Sequence, residues 1–473
     1  MKQIKKLENI ARLLEPTEKT MNKISESATE YIKHFIEHLP EMPGYQTGQL
    51  DQLKAFTVQE TSRTFEEILH ALRTEVDTIG LNSAGGTHMG YIPGGGLWTS
   101  SIADMLAAAT NRYAGVSFAS PGAVEIENQI IRWMTTLVGY PSTAHGNLTS
   151  GGSIANMIAI QTARDHKEIN SRNIRQSVIY VTLDVHHCIY KALNITGLHE
   201  AVIRIVPQNA KHQMNVDLFH ELIESDIRQG HCPFLVVATA GTTDTGAIDP
   251  LNEIVDLCDK YNIWFHVDAA YGGFFMLLDE MKDHFKGIQR SDSLVMDPHK
   301  TLFIPYGSGV VLVRDKRRLL KSNVQKAAYM IDTYDMDDIN PSDTGPELSK
   351  HFRGLRIWLP LQLHGLAPFK ANLEEKLLLS RYFHEQVKKL GFEVGPAPQL
   401  TVTAFRIKEG DKNSINEQLI KSLHSDGRVF FSSTMIEDKL WIRCAILSHR
   451  THMNEVESAL SMLKQHFDKF SNE

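Results

Sequence analysis

The spacing of apolar positions changes twice along this chain. Over roughly the first 80 residues they recur at steps of three and four, as in "TEYIKHFIEHL" and "TSRTFEEILHALRTEV", which predicts amphipathic helices. "SAGGTHMGYIPGGG" (83–96) then breaks the periodicity with glycines and predicts a loop. From about 120 to 315, short apolar runs alternate with helical segments. The runs are "SVIYVTL" (177–183), "AVIRIVP" (201–207), "FLVVATA" (234–240), "IWFHVDAA" (263–270), "SLVMD" (293–297) and "GVVLVR" (309–314). Several are apolar at consecutive positions, as strands buried on both faces must be. "VEIENQIIRWMTTLVG" and "SIANMIAIQTARDHKE" supply helices before and between them. Beyond about 365 the pattern shifts to a helix ("ANLEEKLLLSRYFHEQVKKLG"), then "LTVTAFRI", a helix over 415–425, "VFFSSTM", "KLWIRCAIL" and a last helix over 453–468.

This order predicts an α/β protein in three parts: an N-terminal helical segment (1–95), a large three-layer domain with a mainly parallel sheet (96–365) and a small α+β domain (366–473). Composition agrees. Of 473 residues, 42% are hydrophobic and 22% charged, enough for a full core and against global disorder. The net charge of −7, with no basic domain, argues against nucleic acid or an anionic membrane surface as partner. Cys188, Cys232, Cys258 and Cys444 form no CxxC pair, so neither a zinc knuckle nor a disulfide framework is expected, and no metal site. The start, "MKQIKKLENIARLLEPTEKT", lacks the apolar stretch of a secretory signal. No apolar run reaches the roughly 18 residues of a spanning helix. The expectation is a soluble, cytoplasmic protein with a small-molecule partner.

The candidate chemistry lies at the ends of the expected strands. In "HGNLTSGGSIANMIAI" (145–160) a glycine turn opens a helix, which makes either an ordinary cap or a cradle for phosphate. It is neither a Walker loop nor G-x-G-x-x-G. "YVTLDVHHCIYKA" (180–192) puts two histidines after a strand, as loop residues or as a ring to stack on a ligand. "ATAGTTDTGAIDP" (238–250) ends a strand in small and hydroxyl residues, where Thr242 or Thr243 could hydrogen-bond to a flat ligand. Asp268 closes "IWFHVD", and a partly desolvated carboxylate there calls for a cation or several donors. Ala269 and Ala270 leave room for a ring. Lys300, in "DPHKT", is either a salt-bridged strand-end lysine or an amine that sheds its proton and becomes nucleophilic. An anion cradle, a ring clamp, a carboxylate and an amine, in that order on one sheet, are what pyridoxal 5'-phosphate needs.

With these pieces assembled, the chain resembles the group II pyridoxal-phosphate-dependent amino acid decarboxylases from about residue 25 to 465. "HVDAAYGG" followed by "DPHKT" is the most specific match, supported by "SFASPGAVEIEN" (117–128), "LSKHFRGLRIW" (348–358) and "LWIRCAILSHRT" (440–451). The resemblance implies the aspartate aminotransferase fold (PLP fold type I) and decarboxylation of an L-amino acid to its amine and CO2. It makes Lys300 the imine-forming lysine, Asp268 the partner of the ring nitrogen, and His186, rather than His187, the stacking histidine. It places Gly152, Ser153, Thr242 and His299 on the cofactor, with Ala270 under the ring. Tyr329, in "AAYM", matches a mobile-loop tyrosine that returns a proton to the substrate carbon. Tyr91, Ile92, Pro93 and Arg443 fall on the substrate side, and a homodimer with its site at the interface is implied.

Three departures stand out. Asp297 replaces an asparagine of several relatives, which calls that contact to the phosphate into question. "GYIPGGGLW" replaces a bulkier run, so that the glycines either widen the pocket or bend the chain. The region before "LSKHF" (331–347) is distinctive and acidic. The rivals on the same fold are an aldehyde synthase, an aminotransferase and a carbon–carbon lyase, with a catalytically silent cofactor-binding protein from another class. Tyr329 argues against the aldehyde synthase, in which phenylalanine typically stands there. A nicotinamide dehydrogenase lacks its fingerprint.

Overall fold

The structure, a computed structural model, describes residues 1–48, 56–324, 339–408 and 412–471. Short strands β1 (Tyr45–Gln46) and β2 (Gly80–Leu81) pair near the amino end. The main sheet then takes β3 (His145–Thr149), β4 (Ser177–Val181), β5 (Val202–Ile205), β6 (Cys232–Thr239), β7 (Trp264–Asp268), β8 (Ser293–Met296) and β9 (Gly309–Val313). Its spatial order is β3-β9-β8-β7-β6-β4-β5. All neighbours run parallel except β9, which is antiparallel to both β3 and β8. The reversal brings the start of β9 to the edge where the other strands end.

Alternation along each strand makes three layers. Val236 and Ala238, Phe265 and Val267, and Leu294 and Met296 enter one core, whereas Leu235 and Val237, Trp264, and Val295 enter another on the opposite face. All six predicted runs form strands. The sheet also contains β3, which the sequence reading took only as the approach to a turn. Glycine, asparagine and histidine in "HGNLT" weaken its strand signature.

A second, antiparallel sheet orders β10 (Glu393–Val394), β11 (Val402–Arg406), β13 (Lys439–Ala445) and β12 (Ser432–Ile436) as β10-β11-β13-β12. Its core is formed with the helices Ala367–Lys389, Lys412–Asp426 and Met453–Ser471. The segment 87–89 also joins this layer. Met89 N–H donates to Phe430 O, Ala445 N–H donates to Met89 O, and Met89 is fully buried there. Residues grouped by periodicity with the N-terminal helices thus supply backbone to the carboxyl-terminal layer.

One buried ion pair fixes the edge of the main sheet. Lys350 Nζ donates to Glu127 Oε1 and, at 2.9 Å, to Asn147 Oδ1, and Glu127 also accepts the N–H of Leu148 on β3. Both charged side chains are at most 1% exposed. Removing one partner strands the other in low dielectric. Lys350→Met is expected to lower stability by about 3–5 kcal/mol, read as a lower urea midpoint. Adding Glu127→Gln should return part of that loss.

Candidate active site

The carboxyl edge of the main sheet opens into a cavity of about 400 Å³. Its position follows from topology. The chain leaves β4 for β5 on one side and returns with β6 on the other, and ligands bind where strand order reverses in this way. Gly152 and Ser153 reach it from the start of the helix Gly152–His166, whose first-turn N–H groups have no intrahelical acceptor. His186 enters from the loop after β4, Asp268 and Ala270 from the end of β7, and His299 and Lys300 from the turn after β8. His187 does not line the cavity.

Asp268 is 5% exposed, and its carboxylate accepts from the Ala270 N–H at 3.1 Å and from Asn156 Nδ2 at 3.1 Å. Lys300 Nζ lies 3.2 Å from Asp297 Oδ2. Burial favours the neutral amine, but Asp297 and Asp268 outweigh it, and the lysine pKa is raised. Of the two readings of Lys300, the salt-bridged strand-end lysine describes this structure, because the carboxylates of Asp297 and Asp268 act on it. Burial lowers the pKa of both His186 and His299. His299 lines the cavity; its Nδ1 donates to Ser308 O at 2.5 Å, and its Nε2 lies 3.6 Å from Asp297 Oδ2.

Other expectations are met less directly. The Thr242 hydroxyl bonds to Thr245 Oγ1 at 2.8 Å and accepts the Ala247 N–H, so it is spent within its own turn. Thr239 and Thr243 line the cavity in its place. Tyr91, Ile92, Pro93 and Arg443 do not line it in the single chain. Arg443 is 2% exposed and donates to Ser432 Oγ at 2.7 Å, to Tyr91 O at 3.4 Å and to the Thr243 and Asp244 carbonyls. Its guanidinium ties the Tyr91 segment to the cavity wall. Tyr329 lies outside the described residues. Asn156, Asp184 and Thr239 were missed from sequence. Asn156 reads there as one polar position on an amphipathic helix.

The glycine run acts by close approach. A Cβ on Gly94 would lie 2.3 Å from His299 O and 2.9 Å from Lys300 O. The other side of this loop is clamped by the small domain: Arg450 Nη1 donates to Ala84 O at 3.0 Å and Gly95 O at 2.8 Å, and Thr451 Oγ1 to Gly86 O at 2.6 Å. The loop therefore wedges the lysine turn against the "LWIRCAILSHRT" strand and its continuation.

These residues fit pyridoxal phosphate. The cradle is tight, since a Cβ on Gly152 would stand 2.9 Å from Asp297 Oδ2 and 3.4 Å from Ala270 Cβ. Thr239 Oγ1 is buried at the cavity wall with no partner among the described residues, an open donor for a ligand. Asp297 brings no donor to a phosphate, whereas the backbone N–H groups at Gly152 and Ser153 and the His299 ring could supply them.

Residues 47–408 match the pyridoxal-dependent decarboxylase conserved domain. The chain is 31% identical over 458 residues to the aromatic-L-amino-acid decarboxylase of Bacillus atrophaeus, covering 94% of this chain and 95% of that protein. Its fold is that of the crystal structure of Oryza sativa TDC with PLP and tryptamine (TM-score 0.90, 22% identity, 96% of this chain and 98% of that one). It is shared with the Rhodiola rosea 4-hydroxyphenylacetaldehyde synthase (TM-score 0.86, 20% identity, 96% and 99%). The chain belongs to the pyridoxal-dependent decarboxylase family. It is a carboxy-lyase that uses pyridoxal phosphate to convert an L-amino acid to its amine and CO2.

Gly94→Ala must displace the lysine turn. A shift near 1 Å is expected to lower kcat by about 100-fold, with a weakened visible band of the lysine-bound cofactor as the spectroscopic check.

Proposed function

We propose that this decarboxylase acts on L-amino acids with an aromatic side chain, with Lys300 carrying the cofactor and Asp268 facing its ring nitrogen. The observation that carries the reading is the convergence of Lys300, Asp268, His186 and the Gly152–Ser153 turn on one cavity at one sheet edge. When bound, pyridoxal phosphate supplies an electron-withdrawing ring that takes up the electron pair left by departing CO2.

The chain's own residues do the rest. Gly152, Ser153 and His299 hold the phosphate at the helix N-terminus. Asp268 keeps a proton on the ring nitrogen, since an anion at contact range favours the charged form. Ala270 and His186 would flank the ring, the small side chain leaving it room. Lys300, charged beside Asp297 in this structure, would supply the amine that holds the cofactor. Tyr329 is assigned the return of a proton to Cα on sequence alone.

The aromatic class is supported by the Bacillus relative. A homodimer is supported by the helices Lys2–Ala11 and Glu18–His38, which bury no residue within the chain yet display Ile4, Leu7, Ile10, Met21 and Ile24. A partner's surface there would place the site near the interface. Four free cysteines, Cys232 among them exposed, suit the cytoplasm.

The test is product analysis by mass spectrometry after incubating the cofactor-loaded protein with a panel of L-amino acids. Amines from tyrosine, tryptophan or phenylalanine with matching CO2 are expected. Turnover of acidic or short aliphatic substrates instead overturns the substrate class, and aldehyde with ammonia overturns the reaction. Lys300→Ala should lose the imine absorbance and turnover together, and normal turnover in that variant removes its assignment.

A further inference from the structure

Behind Asp268 runs a line of fully buried polar groups that the proposed mechanism does not use. Trp264 Nε1 donates to Ser293 Oγ at 2.8 Å. Ser293 Oγ lies 2.8 Å from His266 Nδ1, and His266 Nε2 lies 2.7 Å from Asn156 Oδ1. Asn156 Nδ2 reaches Asp268 Oδ2 at 3.1 Å and Cys188 Sγ at 3.4 Å. Trp264, His266, Ser293 and Asn156 are all 0% exposed, and each link is a direct contact between side chains.

One assignment of protons satisfies every link. The Asp268 carboxylate only accepts, so the Asn156 amide must turn its NH2 toward it and its oxygen toward His266. That oxygen needs a donor, so His266 carries its proton on Nε2. Burial pushes the His266 pKa down to about 4, so the ring is neutral and Nδ1 is an acceptor. Nδ1 then takes the Ser293 hydroxyl proton, while the Ser293 oxygen accepts from Trp264, a group that can only donate. Donation therefore runs one way, from the indole to the carboxylate. In the reversed alignment the Asn156 oxygen would face Asp268 Oδ2, acceptor against anion.

We propose that His266, held in its Nε2–H tautomer by Ser293, is a positioning residue that locks the Asn156 amide and so presents Asp268 to the cofactor's ring nitrogen as an oriented carboxylate. The proposal rests on the reading that Asp268 faces that nitrogen. Trp264, His266 and Asp268 alternate along β7, and Ser293 lies opposite His266 on β8, so the line is built into the register of two parallel strands.

The test uses the holoenzyme loaded with pyridoxal phosphate labelled with 15N in the ring, whose chemical shift reports protonation without turnover. In H266Q the amide nitrogen can occupy the Nε2 position and still donate to Asn156, whereas H266N reaches only the Nδ1 position. Both remove the ring, so a purely structural role predicts equal damage. The expected result is a split: H266N moves the 15N shift toward the neutral ring and lowers kcat by about 10-fold or more, the usual scale for partners one layer behind a working group, with KM little changed. H266Q restores most of both. S293A, which frees the tautomer with a one-atom deletion, should follow H266N, and S293T should recover. Equal effects in the two His266 variants with an unmoved 15N shift overturn the proposal. If neither variant folds, an unmoved shift in S293A overturns it. D268N separates the two readings: if it leaves the shift unmoved, the Asp268 assignment has failed, and if it alone moves the shift, the relay has.

Discussion

A carboxylate buried at the end of an apolar strand is the constraint on which this architecture turns. Asp268 follows Trp264, Phe265, His266 and Val267, all 1% exposed or less, and a carboxylate buried there is costly without donors. The fold answers with groups from three directions. The Ala270 N–H comes from its own turn, the Asn156 amide from the helix behind the glycine turn, and Lys300 contributes positive charge from the loop after β8. Each arrives from a different part of the chain, so the sheet must be assembled before the charge can be accommodated. What stabilises the aspartate is also what assembles the site.

The second element of the design is the glycine loop at 83–96. It lies between the lysine turn and the small domain and is packed against both. Glycine at 94 is a matter of space, since the approach to His299 and Lys300 leaves no room for a Cβ. The motif "LWIRCAILSHRT" therefore reaches the lysine indirectly. Arg443 and Arg450 spend their guanidinium groups on loop carbonyls, a rigid way of satisfying backbone groups that no strand pairs. Two features that look separate in sequence, an arginine-bearing strand and a glycine run, make one mechanical unit.

Much of this was legible beforehand. The six β-rich runs formed strands because β-branched and aromatic residues at consecutive positions suit a sheet covered on both faces. Asp268, Lys300, His186 and the Gly152–Ser153 turn meet at one edge because each follows a strand in a mainly parallel sheet. What could not be read depends on tertiary register. β3 is too poor in strand formers to signal itself, and Asn156 looks like any polar residue on its helix. Thr242 and Thr239 are equivalent in composition and are distinguished only by which way the turn directs a hydroxyl. The sequence leaves Lys300 open between a salt-bridged lysine and a neutral amine, because it does not show that Asp297, three residues before it, turns its carboxylate toward the amine.

The placement of β3 has a consequence for how the protein is made. β3 sits at the margin of the sheet, and its one neighbour there is β9, more than a hundred residues later in the chain. The strand that leads into the glycine turn has no partner in the sheet until Gly309–Val313 has been synthesised and docked. Pairing so distant in sequence carries a large loop-closure entropy and forms slowly. The cavity wall is drawn from Ser150 at one end to Lys300 at the other. On the ribosome, the emerging chain therefore has no complete pocket to offer a ligand before Lys300 has been made.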